Sequence, residues 1–187
     1  MEHGWFFGRP EVLRHWISPD AGLILELGAW LGQSTRWFAG FRPAATVVTV
    51  DHWQGSPEHF HDPAVAGVLP VLYETFLVNC WKDRDRIVPV RAATIAGMEE
   101  LVRLGIQPDF VFIDAAHDEE SVCADLTFCL RHFENAVIAG DDWLYYEVAP
   151  GVLKALQCPQ ARGRRLWVWN NVWGVFPGDR ELPAIRK

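Results

Sequence analysis

Residues 23–37 read LILELGAWLGQSTRW, and the fold turns on how this stretch is parsed. The apolar run 23–28 carries an acid, Glu26, and closes on Gly28; Gly32 follows four residues later, and Ser34-Thr35 stand in a segment of helical pattern, 33–40. Such a run has the composition of a strand buried on both faces, and a glycine at its end lets the chain turn sharply into a helix. The free N–H groups at the start of that helix would face whatever lies above them, so the loop is a nucleotide cradle in outline. The dinucleotide fingerprint, however, needs a glycine at the middle position so that a pyrophosphate can lie on the backbone. Trp30 stands there instead. Its bulk leaves little room for a pyrophosphate, whereas a ligand without phosphates does not need that space.

The same alternation continues outward. Short apolar runs at 46–51 (TVVTVD), 87–91 (IVPVR), 110–114 (FVFID) and 136–141 (AVIAGD) read as further buried strands. Helical patterns fall at about 33–40, 67–80, 95–104, 118–133 and 146–156, with a short leading helix within residues 1–20 around PEVLRHWI. In DEESVCADLTFCLRHF, Val122, Leu126, Cys129 and Phe133 share one stripe, and Asp118, Glu119 and Glu120 suit the positive end of a helix dipole. The end of the chain breaks the rhythm: RRLWVWNNVWGVFPG, 164–178, reads as two strands joined at Asn170-Asn171, residues that tolerate the positive φ of a hairpin turn. The prediction is an α/β fold, Rossmann-like and doubly wound, with a seven-stranded, mostly parallel sheet and a C-terminal antiparallel hairpin. At 187 residues the chain is expected to form a single domain over 1–187.

Bulk properties narrow the function. A net charge of −7 and an acidic pI argue against a nucleic-acid partner, and only Arg162 to Arg165 (RGRR) form a basic cluster. No apolar run approaches the roughly 20 residues of a membrane span, and MEHGWFFGRP lacks the features of a signal peptide, so the expected location is cytoplasmic with no membrane partner. Cys80, Cys123, Cys129 and Cys158 show no C-x-x-C spacing. Ten tryptophans are mostly core filling, but a tryptophan-rich terminal hairpin would also serve as a homodimer surface.

Ligands of open α/β sheets bind outside the carboxyl ends of the strands, so the residues just past each strand carry the functional reading. They are Gly28 to Thr35; Asp51-His52-Trp53; Ala93-Thr94; Asp114 with His117; and Asp141-Asp142. Four acids on one rim are hard to explain as stability. Asp51 is the acid expected about 20 residues after the glycine loop, placed to accept ribose hydroxyls, which implies a nucleoside. Other chemistries fail on spacing. GQSTR lacks the last glycine of a nucleophile elbow, no phosphate loop ending in Gly-Lys-Ser/Thr exists, and neither Tyr145 nor Tyr146 has a lysine four residues later.

Together these stretches resemble the class I S-adenosylmethionine-dependent methyltransferases, in particular the small-molecule O-methyltransferase branch that includes macrocin- and catechol-type enzymes. LELGAWLGQST resembles the branch's first motif, VTVDHWQGSPEH its second-strand motif, FVFIDAAHDEESVCADL its Ile-Asp-x-x-His motif, and AVIAGDD its fifth-strand ending. The resemblance implies that Glu26, Gly28, Trp30, Gly32, Ser34 and Thr35 surround the methionine end of S-adenosyl-L-methionine. Asp51 and His52 would serve the ribose, Trp53 would pack near the adenosine, Ala93 and Thr94 would edge the adenine, and Asp114 would close the cofactor site. Asp114, Asp141 and Asp142 fall where metal-dependent members place a divalent cation. The acceptor implied is a small-molecule hydroxyl.

Adjacent parallel strands lie about 4.8 Å apart, so Asp114 and Asp141 or Asp142 can converge to roughly 5 Å. Two carboxylates at that distance repel by about 3 kcal/mol at an effective dielectric near 20. Compensation would come from Mg²⁺ or another oxygen-preferring cation, a shared proton, or a charged His117. Two mechanisms follow. In one a cation lowers the acceptor's pKa; in the other His117 is the general base, and Asp114 and Asp141 orient it. His59 and His61 sit in SPEHFHDPAV, which reads as a mobile lid whose closure would bring one of them against the acceptor. The alternatives are a non-catalytic cofactor-binding or partner protein on the same fold, and a nicotinamide-dependent oxidoreductase.

Overall fold

Strand β1 (Leu23–Leu27) is an interior strand of a sheet built with β2 (Thr46–Asp51), β3 (Ile87–Arg91), β4 (Phe110–Ile113), β5 (Val137–Gly140), β6 (Arg165–Trp169) and β7 (Val172–Phe176). These elements belong to a computed structural model that describes residues 6, 10–56, 59–60 and 62–178. Across the sheet the order is β3-β2-β1-β4-β5-β7-β6. Strands β1 to β5 pair in parallel, whereas β7 is antiparallel to β5 and β6 is antiparallel to β7. The doubly wound, mostly parallel sheet closed by a hairpin is therefore the architecture the apolar runs predict. Asn170, at φ 52, supplies the positive φ on which the hairpin turn depends.

Strand alternation sorts the core into two layers. Ile24, Val47, Phe110, Phe112 and Val137 face one side, packing with Leu13 and Trp16 of α1 (Pro10–Trp16), Phe38 of α2 (Gln33–Phe41), and Phe76 of α4 (Leu72–Cys80). Leu25, Leu27, Val111, Ile113 and Ile138 face the other. There they meet Met98 of α5 (Thr94–Arg103), Leu126 and Cys129 of α6 (Glu119–His132), and Val152 of α7 (Val148–Ala155). Burying each large apolar side chain of this kind contributes roughly 1.5–3 kcal/mol, which fixes the strand register on both faces. The stripe read in α6 is real, and Asp118 caps the helix by accepting from the Ser121 N–H at 2.9 Å.

One predicted element divides. The single helix expected over 67–80 is a 3₁₀ turn, Leu69–Val71, followed by α4, because Pro70 cannot supply an N–H inside an α-helix. A one-turn helix, α3 (Pro63–Ala66), precedes it and has no counterpart in the sequence reading. Pro89 interrupts β3 at little cost, since β3 is an edge strand. Among the described residues no helix is long and apolar enough to cross a membrane.

Candidate active site

Strand order reverses beside β1, where β2 follows on one side and β4 on the other, and a cavity of about 610 Å³ opens there at the carboxyl ends of the strands. Gly28, Trp30 and Ser34 line it after β1; Asp51 and His52 after β2; Ala93 and Thr94 after β3; Asp114 and His117 after β4; Asp141 and Asp142 after β5. Most of the residues singled out in the sequence therefore share one wall system.

The loop after β1 is held in an unusual shape, with Gly28, Trp30 and Gly32 all at positive φ (87, 48 and 80). Gly28 is obligatory for a second reason: a Cβ there would lie 2.0 Å from the carbonyl oxygen of Asp114. Asp51 laces this loop to its own. Its Oδ2 accepts from the backbone N–H groups of Ala29 and Trp30, both at 2.9 Å, and its Oδ1 accepts from Trp53 N–H at 2.6 Å. An ionised carboxylate offers about four acceptor sites, so one remains for a ligand. The Trp30 ring packs on His59 at 4.3 Å between centroids, which brings the segment after β2 over the first loop. His61 of the same segment lies outside the described residues.

Four expected cofactor contacts sit behind the wall rather than on it. Glu26 points to the α2 side of the sheet, wholly buried, and its two oxygens accept from the hydroxyls of Ser34 and Thr35. It pins β1 to the first turn of α2 and does not reach an amino-acid end in the cavity; burial pushes its pKa up to about 7. Thr35 is consumed in the same contact. Gly32 faces α4, where a Cβ would meet Cys80 Sγ at 2.6 Å, so it serves helix packing. Trp53 is buried between Tyr73 and Phe76, and its indole N–H donates to the Trp30 carbonyl at 3.0 Å, so it supports the loop from below instead of stacking on a ligand.

The acidic rim converges on His117. His117 Nε2 lies 3.0 Å from Asp142 Oδ2 and 4.0 Å from Asp114 Oδ1, and one ligand atom from each of the three residues falls within 4.8 Å of the others. Asp114 and Asp142 hold the imidazole's pKa up at about 10 against the cost of burial. Both acids therefore favour the protonated imidazole. Asp141, expected as the third carboxylate of the group, is not part of it. The backbone turns to positive φ at Asp142 (φ 58), which aims the two neighbouring side chains differently. Asp141 Oδ1 accepts from the Asp142 N–H at 2.8 Å and its carbonyl accepts from Trp173 Nε1 at 3.0 Å.

Residues 25–143 match a family model described as Methyltransferase domain, more than half of the chain. The chain belongs to this methyltransferase family. The fold has solved counterparts at low identity. The cofactor-bound Rv0187 from MTB is 23% identical with a TM-score of 0.58, over 96% of this chain and 84% of that one. The O-methyltransferase from Bacillus cereus in complex with SAH is 19% identical with a TM-score of 0.60, over 94% and 84%. MycE, a methyltransferase from the mycinamycin biosynthetic pathway in complex with Mg and SAH, is 18% identical with a TM-score of 0.60, over 96% of this chain and 49% of its own. A search of the curated proteins gives no match.

Three further residues of this methyltransferase matter to the site. Asn171, read in the sequence only as a turn residue, reaches from the β6–β7 hairpin to the acids: its Nδ2 donates to Asp142 Oδ1 at 2.8 Å and its Oδ1 accepts from Leu144 N–H at 2.8 Å. Asp125 lines the cavity from α6, almost fully buried, and accepts from Thr94 Oγ1 at 2.6 Å; its carboxyl is pushed up to about 6 by burial. The available signal was its place on the apolar stripe of α6, where an acid has no reason to be unless it is satisfied. Tyr145 lines the mouth beside His117, ring centroids 5.2 Å apart.

Proposed function

We propose that the protein is an S-adenosylmethionine-dependent O-methyltransferase of small-molecule hydroxyls, acting as one domain and assisted by Mg²⁺ or another oxygen-preferring cation. The observation that carries this reading is that one cavity joins Asp51, with an acceptor site left for a ribose, to the Asp114-His117-Asp142 group. The SAH in the Bacillus cereus structure and the Mg and SAH in MycE support it. In this reading the backbone of Gly28 and Trp30 receives the methionine end, with the Ser34 oxygen left only as an acceptor because its hydroxyl donates to Glu26, while Asp51 and His52 take the ribose and Ala93 and Thr94 the adenine.

Methyl transfer is an in-line displacement at the sulfonium methyl, and its main demand is an acceptor oxygen held about 3 Å from that carbon. Asp114 and Asp142, with the His117 imidazole, form a donor set of two carboxylates and one nitrogen, and a divalent cation held there would lower the acceptor hydroxyl's pKa. Asp114 and Asp142 would hold such a cation, and His117 beside them, in its neutral form, would be the general base for the acceptor's proton. Exposed Trp167 and Val168 on the β6 edge supply the surface of a homodimer, and the unpaired cysteines fit a cytoplasmic protein.

The test is transfer of labelled methyl from S-adenosylmethionine to a panel of catechol, sugar and polyketide hydroxyls, with Mg²⁺ and with chelator. The reading expects a methylated product that chelation suppresses. Cofactor binding without transfer to any acceptor would favour the non-catalytic alternative.

A further inference from the structure

Asp125 lies on the second turn of α6, on the stripe that carries Val122, Leu126 and Cys129 into the core, and is only 3% exposed. What remains open of it lines the cavity beside Ala93 and Thr94. Its Oδ1 accepts from Thr94 Oγ1 at 2.6 Å, and among the described residues no donor bonds to its Oδ2. A buried carboxylate served by a single hydroxyl leaves much of its desolvation cost uncompensated, and burial accordingly holds the carboxyl's pKa up at about 6.

The acids that meet the ribose and the cation lie elsewhere on the wall. Asp51 binds the first loop, and Asp114 and Asp142 converge with His117. Asp125 is tied instead to the start of α5. Ala93, the residue before that helix, has extended backbone and no side chain that could cap it, so the first N–H groups of α5 meet no side-chain acceptor there. Backbone donors beside a carboxylate oxygen complement an adenine edge, where a ring nitrogen accepts next to an exocyclic amine that donates.

We infer that Asp125 selects adenine as the base of the cofactor: its Oδ2 accepts from the exocyclic amine, and Thr94 holds the carboxylate in place for that bond. The inference rests on the reading of the cavity as an S-adenosylmethionine site and adds the group that recognises the base. A 6-oxo base would put an acceptor where the amine stood, opposite a buried carboxylate oxygen, a mismatch that hydrogen-bonding sites reject strongly.

The test is calorimetric titration of S-adenosylhomocysteine and its 6-oxo analogue S-inosylhomocysteine into the parent protein and Asp125→Asn. The parent should bind the adenine compound at least about 100-fold more tightly. The amide of the variant can turn a donor toward the 6-oxo group, so the ratio should shrink to about tenfold or less, or reverse. Equal affinity of the parent for the two compounds overturns the inference. So does a folded variant that keeps the parent's ratio, because an Asp125 that only supports the wall would weaken both compounds alike. A measurement on the parent decides the matter even where the variant does not fold: with S-adenosylhomocysteine labelled with ¹⁵N at the amine, the amine protons of the saturated complex should show nuclear Overhauser contacts to the β protons of Asp125, and their absence overturns the inference. A parent that binds neither compound sinks the methyltransferase reading of the site, whereas one that binds both equally sinks only the role of Asp125.

Discussion

Glu26→Gln should change how stability depends on pH. Glu26 is wholly buried between β1 and α2, and burial raises its pKa to about 7 from an ordinary 4.5. A folded pKa above the unfolded one means that the folded state binds the proton more tightly. The carboxyl's stabilising contribution is therefore complete below about pH 4.5, declines as pH rises through the folded pKa, and is gone above it. At about 1.4 kcal/mol per pH unit, the interval amounts to about 3 kcal/mol. Glutamine cannot ionise; its oxygen can still accept one hydroxyl and its amide can donate to the other. Urea unfolding of both proteins from pH 5 to pH 8 should show the variant gaining on the parent by up to about 3 kcal/mol, with most of the gain complete by pH 7.5. Parallel stability curves would refute the claim that a buried, raised carboxyl sits at this position.

Other perturbations probe different parts of the site. Asp51→Asn leaves one carbonyl oxygen for the three backbone N–H groups the carboxylate now serves, so destabilisation of about 1–3 kcal/mol and loss of most SAH affinity are expected by unfolding and calorimetry. Asn171→Ala removes the donor to Asp142 Oδ1, and Mn²⁺ affinity measured by electron paramagnetic resonance should fall about 10–100-fold while SAH affinity holds. Unchanged Mn²⁺ binding would show that the hairpin does not position the acids. Gly28→Ala forces a Cβ against the Asp114 carbonyl, and the variant should fail to give a cooperative unfolding transition at 25 °C. A folded Gly28→Ala protein of near-parent stability would contradict the geometry of the first loop.

Apolar runs placed the strands to within a residue, because strands buried on both faces leave few alternatives for where hydrophobic residues stop. The hairpin was equally legible from Asn170-Asn171. What the runs do not convey is which side of the wall a strand-end residue occupies. Glu26 and Asp51 look alike in the sequence, yet Glu26 falls on the α2 face by its parity with Ile24, while Asp51 ends its strand and reaches the cavity. Trp53 was misplaced for the same reason: the chain takes positive φ there (φ 50), which directs the indole beneath the loop. Asn171 and Asp125 act across 29 and 31 residues of sequence, on Asp142 and Thr94, and only the folded sheet brings those pairs together. A charged His117 is one of the three ways the sequence allows paired acids to be offset, and the structure sets its ring 3.0 Å from Asp142.

The account stands most directly on which cofactor the cavity takes. Titration calorimetry of the parent protein with S-adenosylmethionine, S-adenosylhomocysteine and NADH should give one site for each of the first two and no heat for the third. Asp51→Asn should lose most of that binding. Binding of NADH alone would contradict the account.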